Sequence, residues 1–388
     1  MAAILNVRAV VSAYRFTPEF RDALLGLFDR HVAEIHSTSR ISNKALSIKT
    51  QERRATALCK AFTELRENGY ALQTPWSLKH KHINFLVTHW VACKQSGGTI
   101  ENKLTYLRAL ANWMAKPNLV GTLADYVDRR EHGLVRSYIA TEDKSWEAHH
   151  IDAAAKIEEI ARTCPYTAVQ LKLQAAFGLR VEESFMLRPA EAARNPQTLA
   201  VTRGTKGGRP REVPIEARLD ILEEAAHLSN GFTGSTVPAD RTLKQWRDWY
   251  YYVLDKHGVT RKGLGVTSHG LRHGFLQTLY ERVAGVPAPV KRAGEKPDRG
   301  DHLEAMRRVV EAAGHSRVTK ANAYLSTFAK QDRLQKKLPT VDEVRAAMAT
   351  ANGNKSHAAT ALGISRQALY RILGADAPFP RDTGRADK

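Results

Sequence analysis

The sequence predicts a mainly helical α+β protein with one small antiparallel sheet. Three observations carry this. Apolar residues recur at three- and four-residue spacing through most of the chain, the period of an amphipathic helix. One stretch, TLAVTRGTKGGRPREVPI (198–215), sets alternating strand-forming residues on both sides of a glycine-rich centre, the pattern of a hairpin. At 388 residues the chain exceeds what one hydrophobic core usually serves, so two or three domains are expected.

To about residue 135 the pattern is a helical bundle. SIKTQERRATALCKAFTELRENG (47–69) closes on Gly69 as a C-cap, and KHINFLVTHWVACKQSGG (81–98) repeats the apolar spacing. TIENKLTYLRALANWMAKP opens on Thr99 as N-cap, with Glu101 close behind, and ends before Pro117. From Gly133 to Ala148 the helical period is lost, which marks a link. Helices are expected from His149 to Thr163 and from Tyr166 to Leu187, followed by the hairpin. After Asp240 helical patterning resumes, interrupted by the Pro/Gly/Lys-rich AGVPAPVKRAGEKPDRGDH (284–302), which reads as a surface loop or insertion. The domains expected are therefore 1–135, 149–335 and a tail over 338–388.

Charge narrows the function. Fifty-nine Lys and Arg stand against 40 Asp and Glu, a net +19, with a pI near 9.9. Such a balance favours a polyanionic partner, and duplex nucleic acid leads. The basic residues are spread over several helical patterns and do not line one amphipathic anchor, so a membrane surface is the weaker partner. A hydrophobic fraction of 43% is ordinary for a globular chain, and no window approaches the roughly 20 apolar residues of a membrane span. The apolar run at the start lacks a preceding basic region and is broken by Arg8, so no secretory signal is read and a cytoplasmic, nucleoid-associated bacterial protein is expected. Cys59, Cys93 and Cys164 are too few and too scattered for a disulfide framework or a zinc knuckle.

The densest chemistry lies in SHGLRHGF (268–275). His269 and His273 are four apart, on one face of a helix, but Gly270 stands where the zinc signature H-E-x-x-H has its glutamate. Taken alone the segment settles little, since a helix start with His269 capping and Arg272 paired to a carboxylate also fits it. Three other segments change its weight. AAFGLRVEESFML holds Arg180 and, on the same helical face, Glu183; GTKGGRPREVP holds Lys206 at the hairpin turn; AAGHSRVTKANAYL sets His315 nine residues before Tyr324.

In order and local spacing these four segments resemble the tyrosine recombinases, the phage integrase family: G-L-R-x-x-E, a hairpin lysine followed by R-x-V-P, H-x-L-R-H, then G-H with a tyrosine nine residues on. The resemblance covers roughly residues 150–330, and the first domain is similar to the family's helical core-binding domain in general character. Gly274 stands where the family usually has Thr or Ser, Lys320 and Ala321 replace threonines common before the tyrosine, and the interval from Arg272 to His315 is longer than usual. None of these departures removes a reacting group.

The resemblance implies exchange of one phosphodiester for another. A phenol is a weak nucleophile at its free pKa of about 10, so it must be held in line while charge on the phosphorus oxygens is offset. Arg180 and Arg272 are the implied clamp, since guanidinium forks stay charged and grip non-bridging oxygens. Lys206 is the implied general acid for the leaving 5′ oxygen, His269 and His315 the hydrogen-bonding and proton-handling groups, and Tyr324 the nucleophile. Glu183 orients or neutralises its basic neighbours. Arg203, Arg209 and Arg211 are expected on the DNA backbone. No cofactor or metal is expected. The partners implied are two double-stranded recombination sites, a homo-tetramer assembled on them, and accessory DNA-bending proteins. The same residue set in a monomer would describe a relaxing type IB topoisomerase, and a non-catalytic DNA-binding regulator is the alternative outside enzymes.

The tail, VDEVRAAMATANGNKSHAATALGISRQALYRILG (341–374), resembles a Fis-like helix-turn-helix. Gly363 is expected at the turn and Ser365 at the cap of a recognition helix that turns Arg366, Gln367, Tyr370 and Arg371 toward a groove.

Overall fold

Side chains cap several of the helix starts, Thr17, Ser47, Ser96, Asp152 and Thr242 among them. The computed structural model describes residues 4–35, 45–195, 197–205, 208–215, 218–335 and 339–373. It falls into two compact units, Met1–Ser137 and Tyr138–Lys388.

The first unit holds α1 (Val7–Val11), α2 (Pro18–His31), α3 (Ile48–Glu67), α4 (His80–Ala92) and α5 (Gly97–Trp113). Ser47 caps α3 by accepting the Thr50 amide, and Asn68 with Gly69 (φ +87°) ends it. The start of α5 differs from expectation: Ser96 accepts the Thr99 amide at 3.3 Å, so the helix begins three residues earlier and Thr99 lies in its first turn. Leu24, Phe28, Leu58, Phe62, Leu86 and Trp90 meet in one core. Each such side chain contributes about 1.5–3 kcal/mol of burial free energy.

The second unit begins with α6 (Ala153–Ala161), α7 (Pro165–Phe177), α8 (Val181–Met186) and α9 (Pro189–Ala192). Strands β1 (Thr198–Val201) and β2 (Arg211–Pro214) pair antiparallel, Thr198 opposite Pro214 and Val201 opposite Arg211. There follow α10 (Leu219–His227), α11 (Leu243–Lys256), α12 (His269–Ala284), α13 (Arg299–Ala312), α14 (Asn322–Leu325) and α15 (Phe328–Gln335). Helix α7 is buried on nearly every side. Val169, Leu173 and Phe177 join Leu276 and Tyr280 of α12 in one core, while Ala168 and Leu171 join Trp246 and Tyr250 of α11 in another. Both of its interior glutamines donate: Gln170 Nε2 to Thr236 O at 2.9 Å, and Gln174 Nε2 to Tyr250 Oη at 2.9 Å.

Four local differences from the sequence reading bear on the site. The helix expected from Tyr166 to Leu187 is broken after Phe177 by Gly178 at φ +58°, where a Cβ would lie 2.4 Å from the Phe275 ring. Helix α10 was not foreseen. The link expected over Gly133–Ala148 is built into the second unit from Tyr138 on: Trp146 is 2% exposed and its Nε1 donates to Thr267 O at 2.9 Å. The stretch over 284–302 is only partly a surface loop, since Ala288 and Val290 are buried in the core around α12 and Arg299 already starts α13.

The tail forms α16 (Val341–Thr350), α17 (Lys355–Ala361) and α18 (Arg366–Leu373) around its own small core of Val344, Ala358, Ala359 and Leu369. Gly363 turns the chain at φ +60°, and Ser365 Oγ accepts the Ala368 amide at 3.1 Å, as the motif predicts. Among the described residues no helix is long and apolar enough to cross a membrane.

Candidate active site

The break at Gly178 sets the site. Ending α7 there leaves Arg180 at the N-terminal boundary of the short helix α8, with Glu183 one turn inside it. Glu183 is fully buried; its Oε2 accepts the Arg180 amide at 2.6 Å, and its Oε1 accepts Arg180 Nη1 at 2.6 Å. The β2 strand supplies a second cation. Arg211 grips the same carboxylate with both ends of its fork, Nη1 to Oε1 at 2.6 Å and Nη2 to Oε2 at 2.7 Å. Burial alone would raise the Glu183 pKa, but the hydrogen bonds and charge of Arg211, with the charge of Arg180, hold it down to about 2.

Helix α12 brings the third cation. Arg272 is fully buried, donates through Nη1 to Gly178 O and through Nη2 to Ala313 O at 2.7 Å, and lies 3.9 Å from Glu183. Ala313 O also accepts Arg180 Nη2 at 2.8 Å, so one carbonyl at the end of α13 joins the two guanidinium groups. Burial lowers the Arg272 pKa to about 10, which keeps it charged at neutral pH. The start of α12 can lie this deep because residue 270 is glycine: a Cβ there would sit 2.5 Å from Lys144 O and 2.8 Å from the Trp146 ring.

The same α13 end turns His315 inward through Gly314 (φ +64°), with the His315 amide bonded to Val310 O at 2.9 Å. Tyr324, on α14, is 7% exposed, and its hydroxyl lies 3.3 Å from His315 Nε2 and 3.4 Å from Arg272 Nε. Its ring packs 4.9 Å from that of His273 and 6.3 Å from that of His269. His273 is buried and its Nδ1 has no hydrogen-bond partner; desolvation, then the His269 and Lys144 charges, pushes its pKa to about 3. His269 is exposed on one side, yet desolvation by the protein on its other side, then the Arg272 and Arg180 charges, brings it to about 4. Both imidazoles are neutral at pH 7. Among the described residues no three His, Cys, Asp or Glu side chains gather as metal ligands would.

The arrangement thus unites Arg180, His269, Arg272, His315 and Tyr324 from three separate segments. Two cations converge beside a phenol that is already hydrogen-bonded. The Integrase family profile matches residues 141–277, which contain Arg180, His269 and Arg272, and the N-terminal phage integrase profile matches residues 38–120. Over these residues the chain matches the integrase family of tyrosine recombinases. It is a site-specific recombinase, and its tail matches the profile of the Fis family of bacterial regulatory proteins over residues 342–373.

A comparison with curated proteins gives no match to this recombinase. Among solved structures it is similar to residues 82–397 of the Tn1549 transposon integrase, carrying Y379F and bound to transposon right end DNA. The identity is 13%, 81% of this chain and 98% of the other are covered, and the TM-score is 0.48. A lambda integrase dimer bound to a COC′ core site matches at 15% identity over 86% and 82% of the two chains, TM-score 0.49. The XerH recombinase bound to palindromic difH matches at 13% over 83% and 90%, TM-score 0.46.

The remaining expected residues divide in three. Lys206 lies outside the described residues. Arg203 and Arg209 are exposed on the hairpin, and Arg366, Gln367 and Arg371 on α18. Arg211 corrects its expectation: its side chain is 3% exposed and both fork nitrogens are committed to Glu183, so it is placed inside the protein and not on a surface that could meet a DNA backbone. Strand alternation carried the signal, since Arg211 shares the inward face of β2 with Val213. His273 and the Ala313 and Gly178 carbonyls were also missed. For the carbonyls no side-chain pattern could have served.

Proposed function

We propose that this recombinase cuts and rejoins duplex DNA through a 3′-phosphotyrosyl link to Tyr324. The observation that carries the reading is the Tyr324 hydroxyl, held 3.4 Å from Arg272 Nε and 3.3 Å from His315 Nε2. A phosphate entering between the Arg180 and Arg272 forks would meet the phenol at attacking distance. The phenol oxygen bonds to phosphorus, its proton passing to His315, while the bond to the 5′ oxygen breaks and that oxygen takes a proton from Lys206. The forks hold the non-bridging oxygens as charge builds, worth about 3–4 kcal/mol of barrier for one such donor. His269, neutral at pH 7, donates to a non-bridging oxygen. Glu183 does not react; it fixes Arg180 and Arg211. The phosphotyrosyl link keeps the energy of the original ester, so a second 5′ hydroxyl can reverse the attack without ATP.

The wider reading follows the same logic. Arg203 and Arg209 meet the DNA backbone from the hairpin, Arg366, Gln367 and Arg371 face a groove, and four copies act on two paired sites with DNA-bending accessory proteins. Lambda integrase is known as a tetramer bound to a Holliday junction, which supports the assembly proposed.

Incubation with DNA nicked near the cleavage site tests the chemistry. Protein should remain on a 3′ end through denaturing electrophoresis, and the peptide carrying the nucleotide should contain Tyr324. A different modified peptide, or attachment to a 5′ end, would overturn the assignment. Lys206 has its own test. Lys206→Ala should slow cleavage about 10²–10⁴-fold on ordinary DNA, but little where sulfur replaces the bridging 5′ oxygen, since a thiolate leaves without a proton. Equal slowing on both substrates would move the acid to another group.

A further inference from the structure

We infer that Arg292, Gln331 and Ser326 form a positioning relay through which the 285–298 loop fixes the phenol of Tyr324; this rests on Tyr324 being the nucleophile. Helix α14 is a single turn of four residues that runs on from a 3-10 turn over Val318–Ala321; a helical segment this short does not hold its own direction, so the contacts at its end bear on where Tyr324 points. At its C-terminal end Ser326 adopts φ +67°, ψ −161°, a region essentially reserved for glycine. A buried serine persists there only if its surroundings hold it, and the contacts that do so are specific. Its amide donates to Asn322 O at 3.0 Å, and its hydroxyl to Ala140 O at 2.6 Å. With that proton committed, an Oγ lone pair accepts Gln331 Nε2 at 2.8 Å. Gln331, 3% exposed on α15, in turn accepts Arg292 Nε at 3.0 Å, and Arg292 Nη2 reaches Thr141 O at 3.2 Å. The other end of α14 is tied to the same segment, Ala140 N donating to Asn322 O at 2.9 Å.

The chain thus spends a strained serine two residues beyond the phenol, and the loop that lengthens the Arg272–His315 interval supplies the arginine that anchors the group bonded to it. Loosening the relay would let Ser326 relax toward an ordinary conformation and swing α14, carrying the phenol away from Arg272 and His315. The loop, which the recombination chemistry leaves without a task, then acts on reaction geometry and not on DNA affinity.

The test is single-turnover cleavage of nicked DNA by excess protein, for Gln331→Met and Arg292→Met, each alone and combined with Ser326→Gly. Either single change should lower the cleavage rate constant about 10- to 100-fold, the cost of a misplacement near 1 Å. The protein concentration at half-saturation should stay within about twofold. Adding Ser326→Gly should restore the rate, because glycine takes this conformation unaided and no longer needs the relay. A merely structural defect in α15 docking would not be rescued this way. Arg292 is exposed, so its variant serves even if Gln331→Met fails to fold. Unchanged rate constants in the single variants, or a fall that Ser326→Gly does not reverse, would overturn the relay alone. A parent chain giving no Tyr324-dependent adduct would overturn both the relay and the nucleophile.

Discussion

Tyr324→Phe is expected to bind DNA as the parent chain does and to form no covalent adduct. The substitution removes one oxygen and keeps the ring, which packs 4.9 Å from His273 and lies 5.5 Å from the Arg272 guanidinium. The two hydrogen bonds lost, at 3.3 and 3.4 Å, are long ones, so stability should change by about 1 kcal/mol or less. On the proposed reading the substitution leaves no hydroxyl at the position that attacks phosphorus. Cleavage should therefore fall by about 10⁴-fold or more, as when a nucleophile is removed from other group-transfer sites. Denaturing electrophoresis reads the adduct, and a gel-shift titration at one fixed salt concentration reads affinity. Retained cleavage would transfer the role to another residue, and lost binding would make Tyr324 a structural tyrosine.

Much of this site is written in side chains at short spacing, which is why it is legible in the sequence. Arg180 and Glu183 are three apart and meet across one turn; His269, Arg272 and His273 lie within the first two turns of one helix; His315 and Tyr324 are brought together by a nine-residue turn between α13 and α14. The hairpin follows from its alternation about a glycine-rich centre, and the tail's turn and cap fall on Gly363 and Ser365 as its motif indicates. What stays hidden depends on backbone groups and on long-range packing. The joint between the two guanidinium groups is the Ala313 carbonyl, 133 residues from Arg180 in sequence. The glycine break before Arg180 is masked because α7 and α8 share one apolar period, so the pattern runs on where the chain does not. The Pro/Gly/Lys-rich composition of 284–302 describes most of that stretch correctly as loop, yet composition cannot show that Ala288 and Val290 are buried or that Arg292 reaches Gln331. Arg211 shows the same limit from the opposite side. A basic residue next to a glycine-rich turn is normally solvated, and only the buried Glu183 explains why this one is not.

Glu183→Ala is expected to be the most destabilising single change in the site. The carboxylate neutralises Arg211 and Arg180 directly and faces Arg272 at 3.9 Å, and two of these three cations have side chains at most 3% exposed. Taking it away strands buried charge, at a cost of about 3–5 kcal/mol. The activity lost should exceed that of the stability change alone, because Arg180 would no longer be held toward Ala313 O beside Arg272. Glu183→Gln separates charge from shape. It keeps an oxygen for one arginine but places amide hydrogens against another, so it should also be destabilised at neutral pH. Acid should then close the gap between this variant and the parent. Glu183 has a folded pKa of about 2, below its ordinary 4.5, so the unfolded chain binds its proton first as pH falls. Its stabilisation is complete above about pH 4.5 and is lost progressively down to about pH 2, some 3 kcal/mol in all for a shift of that size. The variant lacks this group and lacks its acid loss. Denaturant midpoints measured from pH 6 down to the lowest pH at which both proteins fold should therefore converge below about pH 4.5. Parallel curves would mean that the carboxylate does not hold the cations together in the folded chain.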